Sequence, residues 1–217
     1  MKACRKNKIV ELIKFDKKLA KLNSIIGVDE AGRGPLAGAV VACAVYFPEF
    51  NKEVIETLKY LDDSKQLSPK LRQELSDEIK KLAKYSIQEA SVAEIEKINI
   101  LQASLLAMSR ACKDLIRQVN FDKDPKLLID GKFPIPKFKI DQMPIIKGDT
   151  KSASIAAASI LAKVYRDEQM CKLAQEYPVY NWQQNKGYPT KAHIAAIIEH
   201  GSCSWHRKTF LKKVLTD

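Results

Sequence analysis

The 217-residue sequence predicts an α/β fold, a mixed central β-sheet flanked by helices, with a small C-terminal helical part. Three observations predict it. Apolar runs of strand length come early and then alternate with segments of helical periodicity. Three strand ends or helix starts present an acid after an apolar run, at Asp29-Glu30, Asp130 and Asp149. A long segment from Ser152 to about Glu176 is alanine-rich in its first half, which suits a helix packed closely on a sheet.

Residues Asn7 to Leu22 carry Ile9, Leu12, Ile13, Leu19 and Leu22 among lysines, the pattern of a short helix packed outside the main domain. Ser24 to Asp29 and Ala37 to Phe47 read as two strands, and their short connection makes an antiparallel pair. Ser68-Pro69 places an N-cap before proline at the first helical position, and that helix runs to about Ala83. Tyr85 to Ala90 reads as a third strand. Ser91-Val92-Ala93-Glu94 is a capping box that opens a short helix, followed by a longer one from about Ile100 to Val119. Lys126 to Asp130 and Ile145-Ile146 are brief strands on either side of a proline-dotted loop. After the long helix, Thr190 caps a last clear helix that Gly201 ends. The expected division is an N-terminal helical extension (1–22), a main α/β domain (23–180) and a C-terminal loop and helical segment (181–217).

Composition narrows the partners. Lys+Arg 37 against Asp+Glu 26 gives a net charge of +11, which favours a polyanion, nucleic acid before an anionic membrane. Five scattered cysteines without a CxxC spacing argue against both a disulfide framework and a zinc knuckle, and suggest reduced thiols in the cytoplasm. The lysine-rich start lacks the apolar core of a signal peptide. The longest uncharged run, Gly34 to Pro48, is too short to span a bilayer, so no membrane association is expected.

Ile25 to Gly38, with Asp29-Glu30 followed by Gly32-Arg33-Gly34, is the most informative stretch. Asp-Glu recurs at Asp77-Glu78 and Asp167-Glu168, but only Asp29-Glu30 stands between a β-branched run and a glycine loop. Carboxylates at the end of a buried strand are costly unless a cation or proton offsets them. Glycines after them let a polyanion approach the main chain.

Asp130 and Asp149 also follow apolar runs, and ligands of α/β sheets sit at strand ends. If Asp29, Glu30, Asp130 and Asp149 meet, unit charges about 4 Å apart repel by roughly 4 kcal/mol each pair at an effective dielectric near 20. Oxygen-preferring divalent ions, Mg²⁺ or Mn²⁺, relieve that repulsion, and two of them suit in-line displacement at phosphorus. Asp167 is the competing acid, but it lies about 22 Å along the long helix at 1.5 Å per residue, so Asp149 is the better fourth member. Asp167, beside Arg166, reads as a structural ion pair. No nucleophile elbow or P-loop competes with this reading.

At this point the residues resemble a known family, bacterial ribonuclease HII. The opening motif Val28 to Gly38 is followed in order by Asp63-Ser64-Lys65-Gln66-Leu67-Ser68, Asn99-Ile100-Leu101, Leu128-Ile129-Asp130-Gly131 and Lys147-Gly148-Asp149. Then come Ala157 to Val164 with Arg166-Asp167, Lys186-Gly187-Tyr188-Pro189-Thr190, and His206-Arg207 with Phe210. The resemblance implies a ribonuclease H-like fold. It implies cleavage of the RNA strand of RNA–DNA hybrids, and incision 5′ of ribonucleotides in duplex DNA, leaving 3′-hydroxyl and 5′-phosphate ends. It implies a monomer that uses two Mn²⁺ or Mg²⁺ ions. Carried over by position, Asp29, Glu30 and Asp130 are expected metal ligands and Asp149 the fourth carboxylate. Gly32, Arg33 and Gly34 match the loop that reads the ribose 2′-hydroxyl, Tyr188 the tyrosine that stacks on the next sugar, and Lys65 a phosphate contact. Asn185 stands where many members have histidine, and Thr209 where serine is frequent. The alternatives are a ribonuclease HIII-like hybrid nuclease and a non-catalytic nucleic-acid-binding module on the same fold.

Overall fold

In a computed structural model, residues 2–20, 24–61, 67–122 and 124–212 are described, with side chains from Lys8 onward. One sheet of five strands organises the chain. β1 (Ile25–Ala31), β2 (Val40–Tyr46), β3 (Lys84–Ala90), β4 (Lys126–Asp130) and β5 (Gln142–Ile145) lie in the order β3-β2-β1-β4-β5. β1, β2 and β3 pair antiparallel, while β4 runs parallel to both β1 and β5. The mixed sheet, the antiparallel β1–β2 pair and the third strand are as the sequence pattern predicts. β5 begins three residues before the expected Ile145-Ile146 and includes Pro144, which an edge strand tolerates.

β2 explains its own continuous apolar run, because both faces are covered. Val41, Cys43 and Val45 pack toward α5 (Ala153–Glu176), α3 (Pro69–Leu82) and α1 (Lys2–Ala20). Val40, Ala42 and Ala44 pack toward α4 (Val92–Gln118). α5 lies close on β1. A Cβ on Gly27 would fall 2.1 Å from the Ser154 carbonyl carbon, so glycine in the strand and alanines in the helix permit the approach.

Of two helical expectations, one is met and one needs correction. The short helix opened by Ser91 and the longer one from about Ile100 are both present, running on as α4 across a non-helical break at Asn99, whose φ is 66°. The Asn99 side-chain oxygen accepts the N–H groups of Leu101 and Gln102 and caps the second half. α1 does not pack outside the domain. Ile9, Leu12 and Ile13 belong to the main core, each stabilising by about 1.5–3 kcal/mol when fully buried. Asp16 of α1 is buried too, and its Oδ2 accepts the Ser154 N–H (2.9 Å) and hydroxyl (2.8 Å) at the start of α5.

The periodicity did not resolve the short α2 (Lys52–Thr57), although Asn51 caps it. The C-terminal part contains α6 (Trp182–Asn185), α7 (Lys191–His200, capped by Thr190) and α8 (Lys208–Leu211). These gather around Tyr180 and Trp182 and cover Leu36, Met170 and Leu173 at the far end of α5.

Candidate active site

The sheet register brings the acids together. Val28 pairs with Ile129 across parallel strands, so Asp29 and Asp130 are the next residues on neighbouring carboxyl ends. Such strands lie about 4.8 Å apart. Asp130 in turn pairs with Ile145 of β5, which leads through Lys147 to a single 3-10 turn, Gly148–Thr150. Lys147 takes the left-handed conformation (φ 55°), which reverses the chain and brings Asp149 back toward β4. The Gly148 N–H donates to Asp130 Oδ1 over 2.7 Å and fixes this return. Asp29 and Asp149 are both buried, and Glu30 and Asp130 are half-buried.

The Asp29 carboxyl is held well above the usual carboxylate range. Burial is the first cause, followed by repulsion from Glu30 and Asp130, with Asp149 adding to it. The N–H of Glu30, donating to Asp29 Oδ1 at 2.6 Å, opposes the shift. Asp29 therefore feels the other three acids, and oxygen is the only donor type the four offer. That is the chemistry of a site for hard divalent cations, which would relieve the repulsion that burial enlarges. The side chains are not closed into a cage: among the described residues no three acids, histidines or cysteines surround one point. Glu30 leaves the strand on the opposite face, and its Oε1 lies 3.1 Å from Arg33 Nη1.

The glycine loop rises beside these acids. Gly32 has φ +97°, and a Cβ there would lie 2.1 Å from Arg166 Nε. Its lack of a side chain thus serves the inner face of the loop, where Arg166 presses, rather than the outer face that the sequence pattern suggested. Gly34 is different, since a Cβ there would meet only Tyr188 Cε1, at 3.7 Å. Tyr188 is 42% exposed, with the Lys163 ammonium 5.8 Å from its ring centre. Lys163 also pairs with Asp167 at 2.7 Å. Asp167 pairs further with Arg72 at 3.8 Å, so it is a structural acid as expected, but its partners are not Arg166. Lys65, with the Asp63–Gln66 stretch around it, lies outside the described residues.

Behind Tyr188 stands a histidine pair. His193 Nδ1 lies 2.9 Å from the Tyr188 carbonyl, so it carries the proton. His193 Nε2 then accepts from Trp182 Nε1 (2.9 Å) and from His206 Nε2 (3.2 Å). His206 Nδ1 accepts the Cys203 N–H at 3.0 Å. Every ring nitrogen has a definite role with both imidazoles neutral. Burial lowers both histidines, and repulsion between the two helps bring His206 down to about 4.

Sequence reasoning missed the two buried arginines. Arg166 and Arg207 are 2% and 0% exposed, and among the described residues neither makes an ion pair with a carboxylate. Arg207 is pushed down to about 9, first by burial and then by Arg166, and so remains charged at neutral pH. A signal for Arg166 was present: it continues the buried series Ile155, Ser159, Ala162, Met170 and Leu173 along α5.

With this geometry in place, comparison with known proteins is informative. The family model described as Ribonuclease HII matches residues 26–213. The chain is 49% identical over 193 residues to ribonuclease HII of Fusobacterium nucleatum, covering 88% of this chain and 87% of that protein. Among solved structures it resembles the ribonuclease H2 of Pyrococcus horikoshii, with a TM-score of 0.65 at 26% identity over 88% of this chain and 96% of the other. It also resembles Bst-RNase HIII in complex with Mn²⁺, with a TM-score of 0.68 at 19% identity over 93% and 72% of the two chains. The latter likeness bears on the fold alone.

Proposed function

Since the chain belongs to the ribonuclease HII family and is an endoribonuclease of ribonuclease H type, we propose that it incises duplex DNA 5′ of an embedded ribonucleotide and cleaves the RNA strand of RNA–DNA hybrids. The bond broken is P–O3′, with water supplying the oxygen to phosphorus and a proton going to the leaving 3′-oxygen, so the ends are 3′-hydroxyl and 5′-phosphate. The observation that carries the reading is the approach of Asp130 and Asp149 to Asp29, from the end of β4 and from the turn after β5, beside a glycine loop that faces Tyr188.

Asp29, Glu30 and Asp130 would hold divalent ions, with Asp149 as the fourth carboxylate. Two bound ions, Mn²⁺ or Mg²⁺, would activate the attacking water and stabilise the leaving oxygen. The Mn²⁺ in the Bst-RNase HIII structure supports a divalent ion on this fold. The protein's own contribution is placement. The Gly148 N–H keeps Asp130 turned toward the turn that carries Asp149. Gly32, Arg33 and Gly34 read the 2′-hydroxyl, the atom that separates RNA from DNA, and Tyr188 stacks on the sugar that follows. Lys65 meets a backbone phosphate, and the protein acts as a monomer in the cytoplasm. Presence of all four acids favours an enzyme over a binding module, and the family match favours ribonuclease HII over ribonuclease HIII.

The test is a labelled DNA duplex with one ribonucleotide, incubated with Mg²⁺, Mn²⁺ or a chelator, with the cut position mapped. A single cut on the 5′ side of the ribonucleotide, abolished by chelator, is expected. No cut, or equal cutting of an all-DNA duplex, would overturn the reading.

A further inference from the structure

We propose that Arg166 and Arg207 are positioning residues for sugar recognition: two buried guanidinium groups that grip the main-chain carbonyls under the Gly32–Ala39 loop and the Lys186–Tyr188 turn, and so fix the loop relative to the tyrosine ring. The proposal rests on the roles given above to that loop and to Tyr188.

A buried cation usually finds a carboxylate. These two find backbone instead. Arg207 donates to the carbonyls of Gly32 (2.7 Å), Arg33 (3.1 Å), Pro35 (2.9 Å), Gly38 (2.7 and 2.9 Å) and Ala39 (3.2 Å). Arg166 donates to Ala37 (3.0 Å), Ala39 (3.3 Å) and Lys186 (3.0 Å). The Leu36 carbonyl accepts the Arg207 N–H at 2.8 Å, and the Leu36 N–H donates to Gly187 at 2.8 Å. Nearly every carbonyl of the loop is thus turned inward.

That inward turn decides what the outer face presents. In a planar trans peptide the C=O and the following N–H point in opposite directions, and no peptide here is cis. With the Gly32 and Arg33 carbonyls drawn to Arg207, the N–H groups of Arg33 and Gly34 point away from it, toward the side where a sugar would lie. Gly34 is also the residue whose missing Cβ faces Tyr188. Arg166 supplies the second constraint, because one guanidinium holds both the loop and the Lys186 carbonyl two residues before Tyr188. Gly32 leaves the room that this arginine needs, and Gly38 leaves room for the neighbouring Met170.

Lysine keeps the charge but loses the planar fork, so Arg166→Lys and Arg207→Lys separate geometry from electrostatics. Each full-length variant is compared with wild type on two substrates, a DNA duplex with one ribonucleotide and a long RNA–DNA hybrid. The ratio of the two kcat values is the readout, since any inactive fraction cancels in it. Tyr188 tests the sugar beyond the ribonucleotide, so a displaced tyrosine harms junction incision more than hybrid cleavage. The ratio is expected to fall at least fivefold in Arg166→Lys, with duplex KM changed less than threefold. A ratio within twofold of wild type in both variants overturns the proposal. So does equal loss on both substrates in Arg166→Lys, and so does collapse of both variants in thermal melts, which would make the arginines supports of the whole fold. A wild-type enzyme that cuts all-DNA duplex as well as the ribonucleotide duplex refutes instead the underlying reading of the loop.

Discussion

The N–H of Gly148 reaches Asp130 Oδ1 at 2.7 Å, so the Asp130 side chain at the end of β4 is tied to the main chain of the turn carrying Asp149. A Cβ at Gly148 would lie 2.6 Å from Ile155 Cδ1 and 3.3 Å from Asp130 Oδ1. Gly148→Ala therefore pushes the turn off both its supports, overpacking that costs about 1–3 kcal/mol. Incision should slow by at least the tenfold that about 1.4 kcal/mol represents. Unchanged kcat in a variant with a lowered melting temperature would show that this bond does not align the acids.

Asp130→Asn keeps an oxygen for Gly148 but removes a charge from the cluster. Cleavage should fall by more than the roughly 100-fold that loss of a metal site's supporting partner can cost. Binding to a ribonucleotide-containing duplex, read by fluorescence anisotropy, should persist. Near-native turnover would remove Asp130 from the site.

Tyr188→Ala should weaken incision at a single ribonucleotide by about the 1–3 kcal/mol that loss of an aromatic stacking partner costs. Tyr188→Phe should restore most of it, because the ring and its neighbour Lys163 remain. A phenylalanine variant as poor as the alanine one would place the role in the hydroxyl.

Asp16 makes stability depend on pH. Burial lifts its carboxyl from 3.8 to about 6, with hydrogen bonds from Ser152 and Ser154 opposing. A raised folded value means the acid's contribution is fully present below pH 3.8 and is lost as pH rises through about 6. The loss is about 3 kcal/mol at 1.36 kcal/mol per unit. Asp16→Asn should remove that loss, so its stability relative to wild type should rise between pH 4 and pH 7. Comparing the two proteins cancels the opposite contribution of His206, whose lowered value costs stability as pH falls from about 6.5 toward 4. Parallel stability profiles in chemical denaturation would refute the assignment.

How far the sequence could be read depended on whether a signal was local. The acids after apolar runs, the Ser68 and Ser91 caps and the glycine loop are local, and the structure places them where the pattern predicts. The site's assembly is legible because β1, β4 and β5 end together, which strand order in an α/β sheet makes natural. The burial of α1 is not legible in this way. Its lysines are interleaved with its apolar residues, and only the partner surfaces of α5 and α2 reveal that Ile9, Leu12 and Ile13 face inward. The arginines fail for a related reason. Arg166 beside Asp167 suggested an ion pair and Arg207 stood only in a motif, whereas the partners of both are carbonyls far away in sequence, which no residue pattern marks.

Because α5 meets the carboxylate turn at its start and holds Arg166 four turns later, its first half is a spacer of set length. One residue added or removed between Ile155 and Arg166 would swing that arginine by about 100° around the helix, taking it from beneath the loop to another side. Natural relatives should therefore tolerate gaps in the segments joining α5 to α7, while this interval stays constant in length even where its identities drift.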